Sequence, residues 1–235
     1  MRPDRIEAAF WAGIARNVAT TAETKDTGAV PVAGGYAVVV QGSDLAIAIG
    51  IGTRRPLRSD DLATIGAFFA QRGLPARVEL TSDVYERDGA LLTGAGYVPE
   101  ERLTVYVRDP LEPLETPDLA PVAGLKRAAW IAAFGSGLDA HAASALTAIR
   151  AEAGFIAGAA VAVSGDTALV LQWQGPGEGP AAASALLAGL AAAQSRGATR
   201  AYLKLTDGHA LASIAETLAF RPVETRARLR IAPGG

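Results

Sequence analysis

The chain holds few side chains that could do covalent chemistry. In 235 residues it has no cysteine and two histidines, His141 and His209. A thiol nucleophile, a Cys-ligated zinc or iron–sulfur centre and a disulfide framework are thereby excluded, and no metal site is expected. No serine stands in a G-x-S-x-G elbow. What the sequence does hold is a glycine-rich turn, Gln174-Gly175-Pro176-Gly177-Glu178-Gly179-Pro180, running into Ala181-Ala182-Ala183. Glycines followed by alanines let the N–H groups of a helix start approach an anion closely, and Pro180 suits a first helical position. A plain Gly/Pro-rich turn would look similar. A second loop, Gly52-Thr53-Arg54-Arg55-Pro56-Leu57-Arg58, carries three arginines. They either meet phosphates through charge-assisted bonds or sit on the surface beside Asp60 and Asp61. For proton transfer the candidates are His209, just past a strand, and Glu79, on one. An imidazole with a pKa near ~6.5 suits the removal of a proton from an ammonium, whereas solvated positions are the bland alternative for both residues. Trp173 either walls a pocket or fills the core, and His141 reads as a surface residue.

The elements that position these residues occur twice. Gly42 and Gly165 each sit in a polar turn between apolar strands, and Gly96-Tyr97-Val98-Pro99-Glu100-Glu101 faces Ala219-Phe220-Arg221-Pro222-Val223-Glu224, all at an offset of 123. Arg72-Gly73 and Arg196-Gly197, Glu79-Leu80-Thr81 and Lys204-Leu205-Thr206, and Trp11 and Trp130 follow in the same order at nearly the same spacing. In the first half the periodicity predicts a helix over 3–22, a polar loop, strands over 36–41 and 45–51 and a helix over 59–72. A strand over 77–80, a helix over 84–94 and a strand over 103–107 complete it. The second half reads as two helices within 122–152, strands over 156–163 and 168–173, and a helix over 180–195. A strand over 201–205, a helix over 210–218 and a strand over 227–231 close the chain. The strands flanking the long helix should be parallel, because a helical crossover joins them. Four prolines and four acids over 109–121 mark a linker. The division expected is therefore 1–110, a linker over 111–121, and 122–235.

This order, with Ala168-Leu169-Val170-Leu171-Gln172-Trp173, the helix from Ser184 to Gly197-Ala198, and Leu218-Ala219-Phe220, resembles the GNAT superfamily of N-acetyltransferases. Phe68-Phe69-Ala70-Gln71-Arg72-Gly73 and Leu91-Leu92 to Gly96-Tyr97 suggest a diverged second copy. The resemblance implies an α+β (mixed α/β) fold of two tandem GNAT-like domains, each a mixed sheet flanked by helices. It implies acetyl-CoA as co-substrate, direct acyl transfer to a small-molecule or peptide amine, and a bulge and splay between two parallel strands to receive the pantetheine arm. Cofactor contacts then fall on Leu171, Trp173, Gly175, Gly177, Gly179 and Ala181, or in the other copy on Arg54 and Arg55; His209 and Glu79 are the candidate bases. The sequence departs from the family pattern. Glu178 stands for an arginine before the glycines, Ala181 and Ala183 for glycines, Gly208 for an asparagine, and Ala215 for the tyrosine that protonates the thiolate. A catalytically retired binding or assembly module is the alternative these departures favour.

With 22 basic and 24 acidic residues, 50% hydrophobic and 20% charged, the chain lacks the charge footprint of a nucleic-acid binder and has ample apolar residues for a core. Its start, Met1-Arg2-Pro3-Asp4, has no signal-peptide character, and its longest uncharged helical run, 181–193, is too short for a bilayer. A cytoplasmic protein with no membrane partner is expected, and a homodimer is left open.

Overall fold

The computed structural model describes residues 2–22, 26–40, 45–112, 114, 118–122, 125–135, 139, 142–152 and 154–232. The turn at Gly42 and His141 lie outside the described residues. The elements are α1 (Pro3–Ala22), β1 (Gly28–Val32), β2 (Gly35–Val39), β3 (Ala46–Ile49), α2 (Ser59–Ala70), β4 (Arg77–Thr81), α3 (Ser82–Gly94) and β5 (Tyr97–Arg108). They continue with α4 (Arg127–Phe134), β6 (Ala145–Ala151), β7 (Gly154–Ser164), β8 (Thr167–Gln174), α5 (Pro180–Gln194), β9 (Arg200–Thr206), α6 (Ala212–Thr217) and β10 (Arg221–Ile231). The order β2-β3-α2-β4-α3-β5 recurs as β7-β8-α5-β9-α6-β10. The fold is mixed α/β, with one order of elements occurring twice along the chain.

Two compact units result, Met1–Leu103 with Glu224–Gly235, and Thr104–Val223. They differ in extent from the division read in the sequence. Most of β10 belongs to the first unit, where Arg226–Arg230 pair antiparallel with β4. The end of β5, from Thr104, belongs to the second. Each half thus gives the end of its chain to the other unit, a pairing that no local signal encodes. The expected linker is also docked: Leu111 is buried in the core of the second unit, with Leu114 and Leu119 packed against it. Leu111 N–H donates to Thr199 O at 2.6 Å, and Leu119 N–H donates to Ser184 Oγ at 3.1 Å. Leucines spaced through the acids and prolines supply the apolar contacts a free linker would lack.

In the first unit the strand order is β1-β2-β3-β4-β10. The polar loop expected before β2 is itself partly a strand. β1 and β2 form a hairpin whose two turn residues, Ala33 and Gly34, have φ of 48° and 91°. Positive φ at both places matches the twist of the flanking strands. Ala37, Val39 and Ala48 face a core made with Leu62, Ile65, Phe68 and Phe69 of α2, while α1 packs on β1, β2 and β3.

In the second unit the order is β5-β9-β8-β7-β6. Residues 145–151, expected to be helical, form strand β6, which pairs antiparallel with β7. Alanine and leucine there suggested a helix, but the fully buried Ala148 and Ile149 at 3% exposure, with Thr147 Oγ1 donating to Ala185 O of α5 at 2.7 Å, show packing prevailing over propensity. Along β7, Ala157, Ala159 and Val161 enter the core shared with α5, whereas Ala160 enters a smaller cluster with Trp130 of α4. The period-two alternation puts a helix layer on each face.

Candidate active site

The second unit contains the two backbone irregularities that open a sheet. The β7–β8 register passes from Ala160↔Gln172 to Val161↔Val170, so Leu171 is an extra residue in β8, a β-bulge. The parallel β8–β9 ladder runs from Thr167↔Arg200 to Val170↔Leu203 and stops. Beyond that point the ladder does not continue between Leu171–Gln174 of β8 and the rest of β9, where an extended ligand could enter between the two strands. The bulge and the splay fall at one level, which the sequence pattern did not locate.

At the end of β8 the chain turns into α5. Gly179 is the cap, with φ of 81°; Pro180 opens the helix, no side chain caps it, and its first turn has no acid. The N–H groups of that turn therefore carry their partial positive charge without a protein anion. The turn is also tight. A Cβ at Gly175, where φ is 157°, would lie 2.9 Å from both the Ala157 and Ala182 Cβ atoms, and one at Gly177 would lie 3.0 Å from Ala210 Cβ. The Trp173 indole N–H donates to Ala182 O at 2.8 Å. Its ring is 5% exposed in the core, so Trp173 is a staple across the turn, not a pocket wall. Ala181 is buried in the first turn, and Glu178 is exposed just before it.

The first unit has the same sequence of elements without the opening. The β2–β3 register runs from Tyr36↔Ile49 to Val39↔Ala46 with no shift, and β3 stays paired with β4 through its last residue, Ile49↔Glu79. The first turns of α1 cover the strand end: a Cβ on Gly50 would meet Ala8 Cβ at 3.1 Å and Asp4 O at 3.2 Å. The anion position is filled from within. Asp61 accepts from Arg58 N–H at 2.9 Å and from both terminal nitrogens of Arg55 at 2.7 Å. Asp88 accepts from Leu57 N–H at 3.0 Å and from Arg87 at 2.6 Å. Hydrogen bonding by Arg55, reinforced by Arg58 N–H against a burial cost, holds the Asp61 carboxyl below the usual range. Burial opposes ionisation of Asp88, but the bonds from Arg87 and Leu57 outweigh it, and its pKa is lowered too. Arg55 is thus committed to Asp61 and is not a phosphate contact; Arg54 is exposed, its side chain lying beside Gly34.

The two expected bases are otherwise engaged. Glu79 is buried and receives Arg226 at 2.8 Å and Arg228 at 3.0 Å, one on each carboxylate oxygen. A carboxylate held by two guanidiniums is a poor proton acceptor. His209 Nδ1 accepts Leu211 N–H at 3.1 Å, so the ring caps the turn into α6 and, when neutral, carries its proton on Nε2. Sequence reasoning missed Tyr106. This phenol is 7% exposed in the second unit, in the same core cluster as Leu205 and Ala215. Burial raises its pKa, and the charges of Glu216 and Asp207 add to the rise. Thr104 Oγ1 donates to Asp207 at 2.9 Å, fixing the end of β5 against the end of β9. Its one available signal was the alternation Leu103, Val105, Val107 in β5, which puts Tyr106 on the opposite face.

Among the described residues no helix is long and apolar enough to cross a membrane, and no cluster of His, Asp or Glu could hold a metal. No family model and no curated protein matches the chain. Solved structures do. A GCN5-related N-acetyltransferase from Kribbella flavida is similar at 19% identity and a TM-score of 0.62, over 94% of this chain and 96% of that one. One from Sphaerobacter thermophilus is similar at 13% identity and 0.58, over 85% and 78%. A tandem GNAT protein from the clavulanic acid biosynthesis pathway is similar at 12% identity and 0.54, over 85% and 79%. Likeness at this level of identity concerns architecture, and the architecture of this chain is that of the GCN5-related N-acetyltransferases.

Proposed function

We propose that the second unit binds acetyl-CoA and passes its acetyl group to the amine of a small molecule or peptide, while the first unit is a retired copy. The carrying observation is the coincidence of the Leu171 bulge, the end of the β8–β9 ladder after Val170, and an uncapped α5 N-terminus. The N–H groups of Ala181 and Ala182 would hold the diphosphate, with Gly175, Gly177 and Gly179 allowing close approach. The ends of β8 and β9 beyond the ladder would hold the pantetheine arm. Bound there, the cofactor supplies an activated acyl thioester. The chain's own part is to orient that arm, and Tyr106 would give a proton to the departing sulfur, a role Ala215 cannot fill. With Glu79 and His209 engaged elsewhere, the amine reacts as the free base. The rate should then rise with pH toward the amine's own pKa, with no plateau near the imidazole range.

Thermal unfolding with acetyl-CoA tests this reading. Cofactor at about 100 times its dissociation constant adds about 2.7 kcal/mol. Absence of any rise in Tm at millimolar cofactor contradicts the enzyme reading and leaves the binding-module alternative that Glu178 and Ala215 favour. If the rise is seen, Tyr106→Phe should keep it and lower kcat by about 10²-fold.

A further inference from the structure

The first unit contains a partly buried ionic cluster in which acids outnumber bases and which the proposed reaction does not use. Arg2, Asp4 and Glu7 come from α1 and the residue before it, Glu79 from β4, Asp83 from α3, Glu101 from β5, and Glu224, Arg226 and Arg228 from β10. The Arg226 side chain is 1% exposed and bonds Glu7, Glu79 and Glu224 at 2.7, 2.8 and 2.7 Å. Arg228 bonds Glu79 and Glu101. Both arginines of the strand are therefore committed. The shortfall falls on the other side of Glu224. Asp4 is 2% exposed, and neither of its carboxylate oxygens has a hydrogen-bond partner among the described residues. Its near cation is Arg2, at 3.4 Å, and that same guanidinium lies 3.3 Å from Asp83 and 3.8 Å from Glu224. Asp83 has further donors in Thr81 Oγ1 and Val84 N–H. Asp4 therefore shares one partly exposed Arg2 with Asp83 and with the second carboxylate oxygen of Glu224.

We propose that Asp4 and Glu224, which share Arg2, form a proton-binding site between α1 and β10, so that mild acid tightens α1 against β10. One proton turns one of the two carboxylates into an O–H donor and removes the repulsion between them. Burial pushes the Glu224 carboxyl above its ordinary value of 4.5, Arg226 pulls it down, and Asp4 adds to the rise. A raised folded pKa gives stability that is full below the unfolded value and is lost as pH climbs through the folded one. Asp61, Asp83 and Asp88 are shifted the other way and lose their contribution only below the ordinary aspartate range. The two windows are therefore separate. Because α1 also covers Gly50 at the end of β3, the proton reinforces the closure of the first unit.

The direct test is a carboxyl ¹³C NMR titration of the intact chain. A Glu224 resonance titrating above the ordinary carboxylate range is expected; one titrating at or below it overturns the proposal. Denaturant unfolding gives a second readout. As pH falls from neutrality toward the ordinary carboxylate range the unfolding constant should fall, by at most about tenfold per pH unit for one proton. Glu224→Gln and Asp4→Asn, each supplying a permanent donor, should flatten that slope. A variant that folds and keeps the full slope contradicts the site, and the titration needs neither variant.

Discussion

Two loops leave a strand and start a helix in this chain, and they solve the same electrostatic problem in opposite ways. At 50–58 the N–H groups of Leu57 and Arg58 meet the carboxylates of Asp88 and Asp61, and Arg55 neutralises the latter. At 174–180 three glycines and a proline lead into alanines, and no side chain caps the helix. The first loop has arginines, and Asp61 and Asp88 meet its donors; the second has an uncapped helix start and an exposed glutamate. Positive side chains are therefore a poor guide to anion binding here. Backbone donors left unmatched are the better one, because an arginine beside an aspartate has already found its anion.

The largest expected effect tests whether the charges of the first unit are structural. Glu79→Ala would leave the buried Arg226 and the half-buried Arg228 without their shared partner, at a cost of about 3–5 kcal/mol in urea unfolding. A loss below about 1 kcal/mol would mean the network is not buried as described. Next come paired glycine substitutions. Gly175→Val drives a side chain into Ala157 and Ala182, and Gly52→Val drives one into Val84, whose Cγ1 would be 2.6 Å from the new Cβ. Each should cost about 1–3 kcal/mol. Only the former should weaken acetyl-CoA binding in calorimetry; equal weakening would erase the contrast between the loops.

Asp61→Asn is smaller. It removes the charge that Arg55 and Arg58 N–H stabilise, and should cost about 1 kcal/mol near neutral pH. Since the Asp61 pKa is lowered, that difference from wild type is present above the ordinary aspartate range and disappears as pH falls through the folded value. Cofactor affinity should not change. The smallest effect is Glu178→Arg. Replacing an exposed anion before α5 by a cation should tighten acetyl-CoA a few-fold at low salt, with the gain screened away at about 1 M. Tightening that persists at high salt would point to a direct contact instead of a long-range field.

Much of the scaffold was legible because local signals and packing agree. The Pro180 start, the Ala/Leu run of α5 and the strands at 77–81 and 167–174 follow from turn chemistry and periodicity. β6 was not legible, since alanine and leucine serve a buried strand as well as a helix. The exchange of β10 into the first unit has no local signature: Arg226 is 147 residues from Glu79, yet they share a hydrogen bond. The same distance hid the fate of Glu79, which reads as a free strand carboxylate until its partners arrive. For His209 the hidden contact is local, the backbone N–H two residues on that donates to its Nδ1. The loop at 174–180 was found from composition alone, but the bulge at Leu171 beside it is a register fact, visible only once β7 is in place.

Hydrogen–deuterium exchange with saturating acetyl-CoA tests the contrast between the loops most directly. Protection confined to peptides spanning 171–186 and 203–211, with 50–62 unchanged, is the predicted result. Protection of 50–62, or none anywhere at millimolar cofactor, would contradict it.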